Sequence, residues 1–294
     1  MPDETTCRDV TGADVVIHEF TDPGCPWAFS AEPFRRRINW IYGDRVAWRT
    51  VMVGLAEAPE DWSERGYTVE AIAKGMARIS HEHGMPIDTS PRERHSATTP
   101  ACRAVIGVRL NAPEYERLIL RRLRVLYMAG HLLDTPETIR AAATAAGLDP
   151  DDVERWAADL RVADALALDM ERARRPLPAA RVLDEKLANW SGGQRYTCPS
   201  YELCRVADDV RIAIPGFQPF PVYDVILANL VPGTERRDPP TSVEEVLAWT
   251  GTPLATREVA VVCDISHESA REQLGRVADE DHVGFDGFWT LRGA

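Results

Sequence analysis

The clearest alternation of apolar and polar positions near the start of the chain is DVVIHEF, residues 14–20. Val15, Ile17 and Glu19 fall on one face, and Val16, His18 and Phe20 on the other. This period of two, stopped by Thr21-Asp22-Pro23-Gly24, predicts a strand. Cys25-Pro26 opens an amphipathic stretch that predicts a helix through about Tyr42, closed by Gly43-Asp44. VAWRTVMVGL (46–55) predicts a second strand, and the β-α-β order implies parallel strands joined by a right-handed crossover. From about Glu57 to Trp190 only helical periods occur, broken at Gly84-Met85-Pro86, 88–92, Ala112-Pro113, 134–136 and 147–150. Thr135-Pro136-Glu137 and Leu148-Asp149-Pro150 read as helix starts, each with a Pro in the first turn. Beyond Gly192-Gly193, VRIAIPGF (210–217) and PFPVYDVI (219–226) carry strand composition.

The pattern predicts an α/β chain in four parts. Residues 1–13 read as a flexible tail. Residues 14–56 and 192–236 form one α/β unit, and 57–191 an all-helical insertion. After a linker at Asp238-Pro239-Pro240, residues 240–294 read as helix, turn, helix and a two-strand ribbon, the layout of a winged helix.

Composition narrows the function classes. The chain has 294 residues, 45% hydrophobic and 27% charged, so a packed core is expected. The net charge of −12 argues against a role in gripping nucleic acid or an anionic membrane. The last 55 residues hold four basic and ten acidic side chains. A DNA reader needs the opposite balance, so that module reads as structural or dimerising, with Trp249, Phe285 and Trp289 packed inside it. No apolar run approaches the roughly 20 residues of a membrane span. No secretory signal is read at the N-terminus, and a cytoplasmic protein is expected.

Cysteines stand at 7, 25, 102, 198, 204 and 263. They do not read as a disulfide framework, and no C-x2-C pair suggests a metal, so none is expected. Cys25 stands out. It follows a strand and begins a helix, where unsatisfied backbone N–H groups converge and a thiolate is favoured. Pro26 suits the first helical turn, and Trp27 can cover the sulfur. The alternative is a buried cysteine at a turn.

FTDPGCPWAFSAEPFRRRINWIYGDRVAWRTVMVGL resembles the opening of DsbA-like thioredoxin-fold proteins. The resemblance includes the branch of 2-hydroxychromene-2-carboxylate isomerase, kappa-class glutathione transferases and FrnE-like proteins. The resemblance covers about residues 14–232. It implies a thioredoxin-like fold with a helical insertion, Cys25 as nucleophile, and Pro219, after Gln218, as a cis-proline facing the sulfur; Pro221 competes for that place. It also implies that Glu19 is a buried carboxylate that moves protons, the alternative being a strand-end carboxylate paired with an Arg. By the same likeness the region of Arg103 lines the substrate cleft; a helix cap with a solvated basic face is the competing reading.

One departure decides the expected chemistry. Dithiol members read C-P-x-C, whereas Ala28 stands in place of the second cysteine, so CPWA cannot close a two-residue disulfide. The leading expectation is a monothiol thiol-disulfide oxidoreductase that uses glutathione or mycothiol. Its partners would be a small thiol and a small-molecule or thiol substrate, with a homodimer left open. The rivals are a thiol-dependent isomerase or transferase, and a non-catalytic interaction module. Cys198, Cys204 and Cys102 stay open as residues that could resolve Cys25.

Overall fold

A computed structural model of the chain describes Cys7, residues 12–190 and residues 192–293. The expected tail, 1–13, therefore lies mostly outside the described residues. Of its described residues, Cys7 is fully buried and Gly12 is exposed.

The first strand, β1 (Val15–Thr21), is buried along its whole length. It pairs in parallel with β2 (Val46–Met52), so the β-α-β reading holds. Between them, the expected single helix is two: α1 (Pro26–Ser30) and α2 (Glu32–Tyr42). The break has a local cause, since Pro33 has no N–H to offer the carbonyl one turn back.

The helical insertion follows as α3 (Glu60–Glu64), α4 (Val69–His83), α5 (Thr99–Asn111), α6 (Glu116–Met128), α7 (Pro136–Ala145), α8 (Pro150–Ala158), α9 (Leu160–Ala173) and α10 (Pro178–Arg181). The first-turn prolines at 136 and 150 begin α7 and α8 as read. The insertion then hands over to a hairpin, β3 (Leu187–Trp190) and β4 (Gly193–Tyr196), which the sequence reading missed.

The second half of the sheet departs from expectation. β5 (Ser200–Arg205) runs antiparallel to β1, with Phe20 opposite Ser200 and Val16 opposite Cys204. β6 (Arg211–Ile214) completes a four-stranded sheet of order β2-β1-β5-β6. Residues 219–226 are not a strand but most of helix α11 (Phe220–Leu230). Strand composition misled here because the segment is apolar on every side; its Val222, Tyr223 and Ile226 pack onto the sheet's core.

The C-terminal module comprises α12 (Val243–Thr250), β7 (Leu254–Ala255), α13 (Thr256–Cys263), α14 (His267–Val277), β8 (Ala278–Val283) and β9 (Asp286–Leu291), its strands ordered β7-β9-β8. It does not stand apart. Trp40 of α2 enters its apolar core beside Val246, Leu274 and Trp289, and Arg37 donates to Asp264 at 2.8 Å. Trp289 is buried as expected, but Phe285 is 52% exposed and Trp249 lies at the rim, edge-on to Trp40 at 5.1 Å. No helix among the described residues is long and apolar enough to cross a membrane.

Candidate active site

Cys25 sits where β1 turns into α1. Its backbone N–H donates to the Asp22 carbonyl at 3.2 Å, which closes the Asp22-Pro23-Gly24 turn. It is the residue that caps α1, in extended conformation, with Pro26 in the first turn. Its thiol donates to the carbonyl of Cys198 at 3.2 Å. Burial pushes the Cys25 thiol up. A hydrogen bond from the Cys198 side-chain thiol and the backbone N–H groups of Ala28 and Trp27 outweigh that, although a charge on Asp22 would oppose them, and the thiol is held below its ordinary value. Cys198 bears the converse: burial first, then the hydrogen bond to Cys25, raise its thiol well above the ordinary value. One sulfur of the two is prepared to ionise.

The cis X-Pro bond lies at Cys198-Pro199, not at Gln218-Pro219. Pro219 instead caps α11, Gln218 donates from its side chain to the Pro215 carbonyl at 3.2 Å, and Pro221 lies within the first turn of α11. The correction follows from strand order. β5 pairs antiparallel with β1, so the loop that enters β5 lies beside the loop that leaves β1. The 216–218 loop still reaches the site. Gly216 donates to Ser200 Oγ at 2.9 Å, and Ser200 donates to the Thr197 carbonyl at 2.8 Å.

Trp27 is partly buried beside the sulfur's apolar surroundings. Its ring lies 5.1 Å from His83 and 5.6 Å from Phe217, and those two are 4.5 Å apart. Nε2 of His83 is buried without a hydrogen-bond partner. Burial lowers the His83 pKa, which favours a neutral ring. This three-ring cluster beside Cys25 was not foreseen. His83 belongs to the insertion and Phe217 to a distant loop, so no local spacing joins them.

Asp22 is the buried carboxyl closest in role to the thiol. It accepts from the N–H of Gly24 and of Leu55, both at 2.8 Å, from Thr98 Oγ1 at 2.9 Å and from the Cys102 thiol at 3.6 Å. Burial nonetheless raises its pKa. Glu19, the carboxylate expected to move protons, is held by Arg35 and Arg124. Burial would raise its pKa, but Arg124 and Arg35 together hold it below the ordinary value. It takes the alternative role, a paired carboxylate. Arg103 also takes a structural place: its Nε donates to the Ala157 carbonyl at 2.8 Å, tying α5 to α8. The helices touch closely there, since a Cβ at Gly107 would lie 3.1 Å from the backbone of Trp156 and Ala157.

The other candidate resolving cysteines separate cleanly. Cys102 faces Asp22, and burial raises its thiol well above the ordinary value. Cys204 is bonded to Cys7 in a disulfide with a Cα–Cα distance of 6.2 Å. That bond is one the reading of no disulfide framework did not anticipate, and it removes Cys204 from the candidates to resolve Cys25. The pairing spans 197 positions, which no reading of spacing reveals. The Asp209 carboxylate lies 3.0 and 3.1 Å from the two sulfurs. Cys7, Cys204 and Asp209 also form a cluster whose ligand atoms lie within 4.8 Å of one another; joined as a disulfide, the sulfurs offer no thiolate to a metal.

Comparison with known proteins agrees with this architecture. The family model of the DSBA-like thioredoxin domain matches residues 16–193. The ClpXP adapter protein SpxH of Shouchella clausii (strain KSM-K16) is 26% identical over 266 residues, 88% of this chain and 80% of its own length. That span leaves too few residues aside to stop before 240, so the likeness reaches into the C-terminal module. A putative protein disulfide isomerase from Nitrosomonas europaea has a TM-score of 0.56 at 15% identity, covering 74% of this chain and 98% of its own. The cytosolic disulfide reductase DsbM from Pseudomonas aeruginosa has a TM-score of 0.52 at 15% identity, covering 73% and 99%, and is similar also in its form with GSH, at 0.51. At these identities the two solved structures share the fold.

Proposed function

The chain belongs to the DSBA-like thioredoxin domain family, and within it we propose a thiol-disulfide oxidoreductase of monothiol type, working through Cys25 with a low-molecular-weight thiol. The observation that carries this reading is the unequal pair of thiols. Cys25 is held toward thiolate, while Ala28 occupies the position of the usual partner and Cys198 is held toward neutral thiol.

The Cys25 thiolate attacks one sulfur of a disulfide RS–SR′. A Cys25–SR bond forms, the S–S bond breaks, and R′S⁻ leaves. A second small thiolate then attacks the mixed disulfide, releasing a new disulfide and restoring the Cys25 thiolate. Atoms and charge balance, and the protein ends as it began. The rings of Trp27, His83 and Phe217 offer an apolar seat for the R group. Glutathione and mycothiol both suit this scheme, and DsbM solved with GSH favours testing glutathione first.

The test is intact mass after incubation with glutathione disulfide, followed by peptide mapping. One glutathionyl adduct on Cys25, removed by added thiol and absent in Cys25→Ser, is the expected result. A linked peptide joining Cys25 and Cys198 in protein oxidised without small thiol contradicts the monothiol scheme.

The match to SpxH favours a second reading, a non-catalytic interaction module in which the C-terminal part contributes to docking. Full biological activity in Cys25→Ser would select it. A cytoplasmic location belongs to the proposal; the structurally similar DsbM is a cytosolic disulfide reductase.

A further inference from the structure

Where α2 and α6 meet the C-terminal module, the chain buries more positive charge than negative. Glu19 pairs with Arg35 and with Arg124, the latter at 3.1 Å. Glu32 pairs with Arg117 and Arg124, and Arg121 stands 3.9 Å away. Glu258 takes Arg121 at 2.5 Å and Arg36 at 3.4 Å. Five guanidinium groups thus share three carboxylates. Arginine does not give up its proton in proteins, so two positive charges remain in excess. Buried charge left without a counter-ion is costly.

A cavity of about 360 Å³ opens against this network. Arg36, Arg117, Arg121 and Arg122 line it, with Glu114 and Asp281, so the lining carries the same excess of two. Nη1 of Arg117 and Nη1 of Arg121 are buried with no hydrogen-bond partner, and the Arg121 side chain is only 5% exposed. Leu118, Val125 and Phe288 add an apolar wall. The site is distinct from the thiol site and independent of the function proposed there.

We propose that this cavity binds a small phosphate monoester bearing an apolar group, its phosphate held by Arg36, Arg117 and Arg121 and its apolar part laid against Leu118, Val125 and Phe288. The charge matches: such a phosphate carries about −1.5 to −2 at pH 7. So does the chemistry. Guanidinium forks bind phosphate oxygens through paired N–H donors; Arg117 and Arg36, 26% and 16% exposed, present theirs to the cavity, while the buried Nη1 atoms of Arg117 and Arg121 add positive charge that no protein acceptor meets. The apolar wall excludes a fully hydrated ion as the best fit and favours an ester with an aromatic or aliphatic part.

Calorimetric titration of the full chain with phenyl phosphate tests this, with benzoate and phenol as probes of charge and ring. Phenyl phosphate is expected to bind saturably and at least about tenfold more tightly than benzoate, with no heat from phenol. Arg117→Gln should weaken it roughly tenfold. Leu118→Trp fills the cavity without removing charge and should abolish binding, whereas Cys25→Ser should leave it unchanged. Circular dichroism melts show which variants are folded. No binding of phenyl phosphate at millimolar concentration, or undiminished affinity in whichever of the two cavity variants is folded, overturns the proposal.

Discussion

Two pairs of cysteines mark opposite ends of the same two strands. At one end, where β1 leaves the sheet and β5 enters it, Cys25 and Cys198 are free thiols in contact, and their surroundings drive them apart in acidity. At the other end Cys7 and Cys204 are joined beside Val16, and the bond pins the start of the chain to β5. Both pairs are buried, so burial alone does not assign a role. The difference lies in the backbone. Cys25 has the N–H groups of a helix start aimed at its sulfur, whereas the bonded Cys7 and Cys204 sulfurs lie 3.0 and 3.1 Å from the Asp209 carboxylate, which is itself paired with Arg211. One end is arranged for exchange and the other for cross-linking.

The sharpest way to break this comparison is to remove one sulfur from each end. Cys25→Ser should reduce disulfide exchange by roughly a thousandfold or more, because the nucleophile is gone. Cys7→Ser should leave the exchange rate within about twofold. An equal loss in both variants would show that the two ends act together.

Stability should divide the other way. The Cys7–Cys204 bond closes a very long loop, and its loss should cost about 2–5 kcal/mol. Chemical denaturation of Cys204→Ser, compared with wild type under oxidising and reducing conditions, reads this directly. Cys25→Ser should change stability by about 1 kcal/mol or less.

Midway along β1, His18 supplies a pH dependence that belongs to neither end. Burial first, then the charges of Arg172, Arg49 and Arg211, lower its pKa to about 2. Its folded pKa is depressed, so the unfolded chain binds more protons between about 2 and the unfolded value near 6.5. The stability it contributes is complete above about pH 6.5 and falls as pH drops toward 2, by about 1.4 kcal/mol per unit at most. Denaturation midpoints between pH 7 and pH 5 should fall in wild type and fall less in His18→Gln.

The smallest effects sharpen the thiol end. Cys198→Ala removes a hydrogen bond that favours the Cys25 thiolate, and alkylation at pH 6.5 should slow about threefold. Asp22→Asn removes a carboxyl whose charge opposes that thiolate, so alkylation should speed up by a similar factor. Opposite signs in the two variants separate electrostatic tuning from mere loosening of the turn, which would speed both.

Much of the thiol end was legible in the sequence, because its signals are local. The alternation of DVVIHEF, the Asp22-Pro23-Gly24 turn and Cys25-Pro26 sit next to one another, and each acts on its neighbours. The helix starts at Pro136 and Pro150 were legible for the same reason. What escaped depends on contacts between distant segments. The Cys198 carbonyl, just before the cis bond to Pro199, meets Cys25 because β5 runs antiparallel to β1. Thr197-Cys198-Pro199, just before the apolar-polar run of β5, is the local signal for it. Glu19 and Arg103 carried suitable chemistry, but Glu19 is held by Arg35 of α2 together with Arg124 of the insertion, and Arg103 by Ala157 of the insertion. The Cys7–Cys204 bond and the His83–Phe217 contact join segments more than a hundred residues apart, and no periodicity records such pairings.

The central claim is that one cysteine of the six is held toward thiolate. Peptide-resolved alkylation of the native protein across pH 5 to 10 tests it most directly. Cys25 should be the fastest cysteine to react, with a midpoint clearly below the ordinary thiol value of about 8.5, while Cys102 and Cys198 stay unreactive until well above it. A Cys25 midpoint at or above 8.5, or a Cys198 that reacts first, would contradict the account.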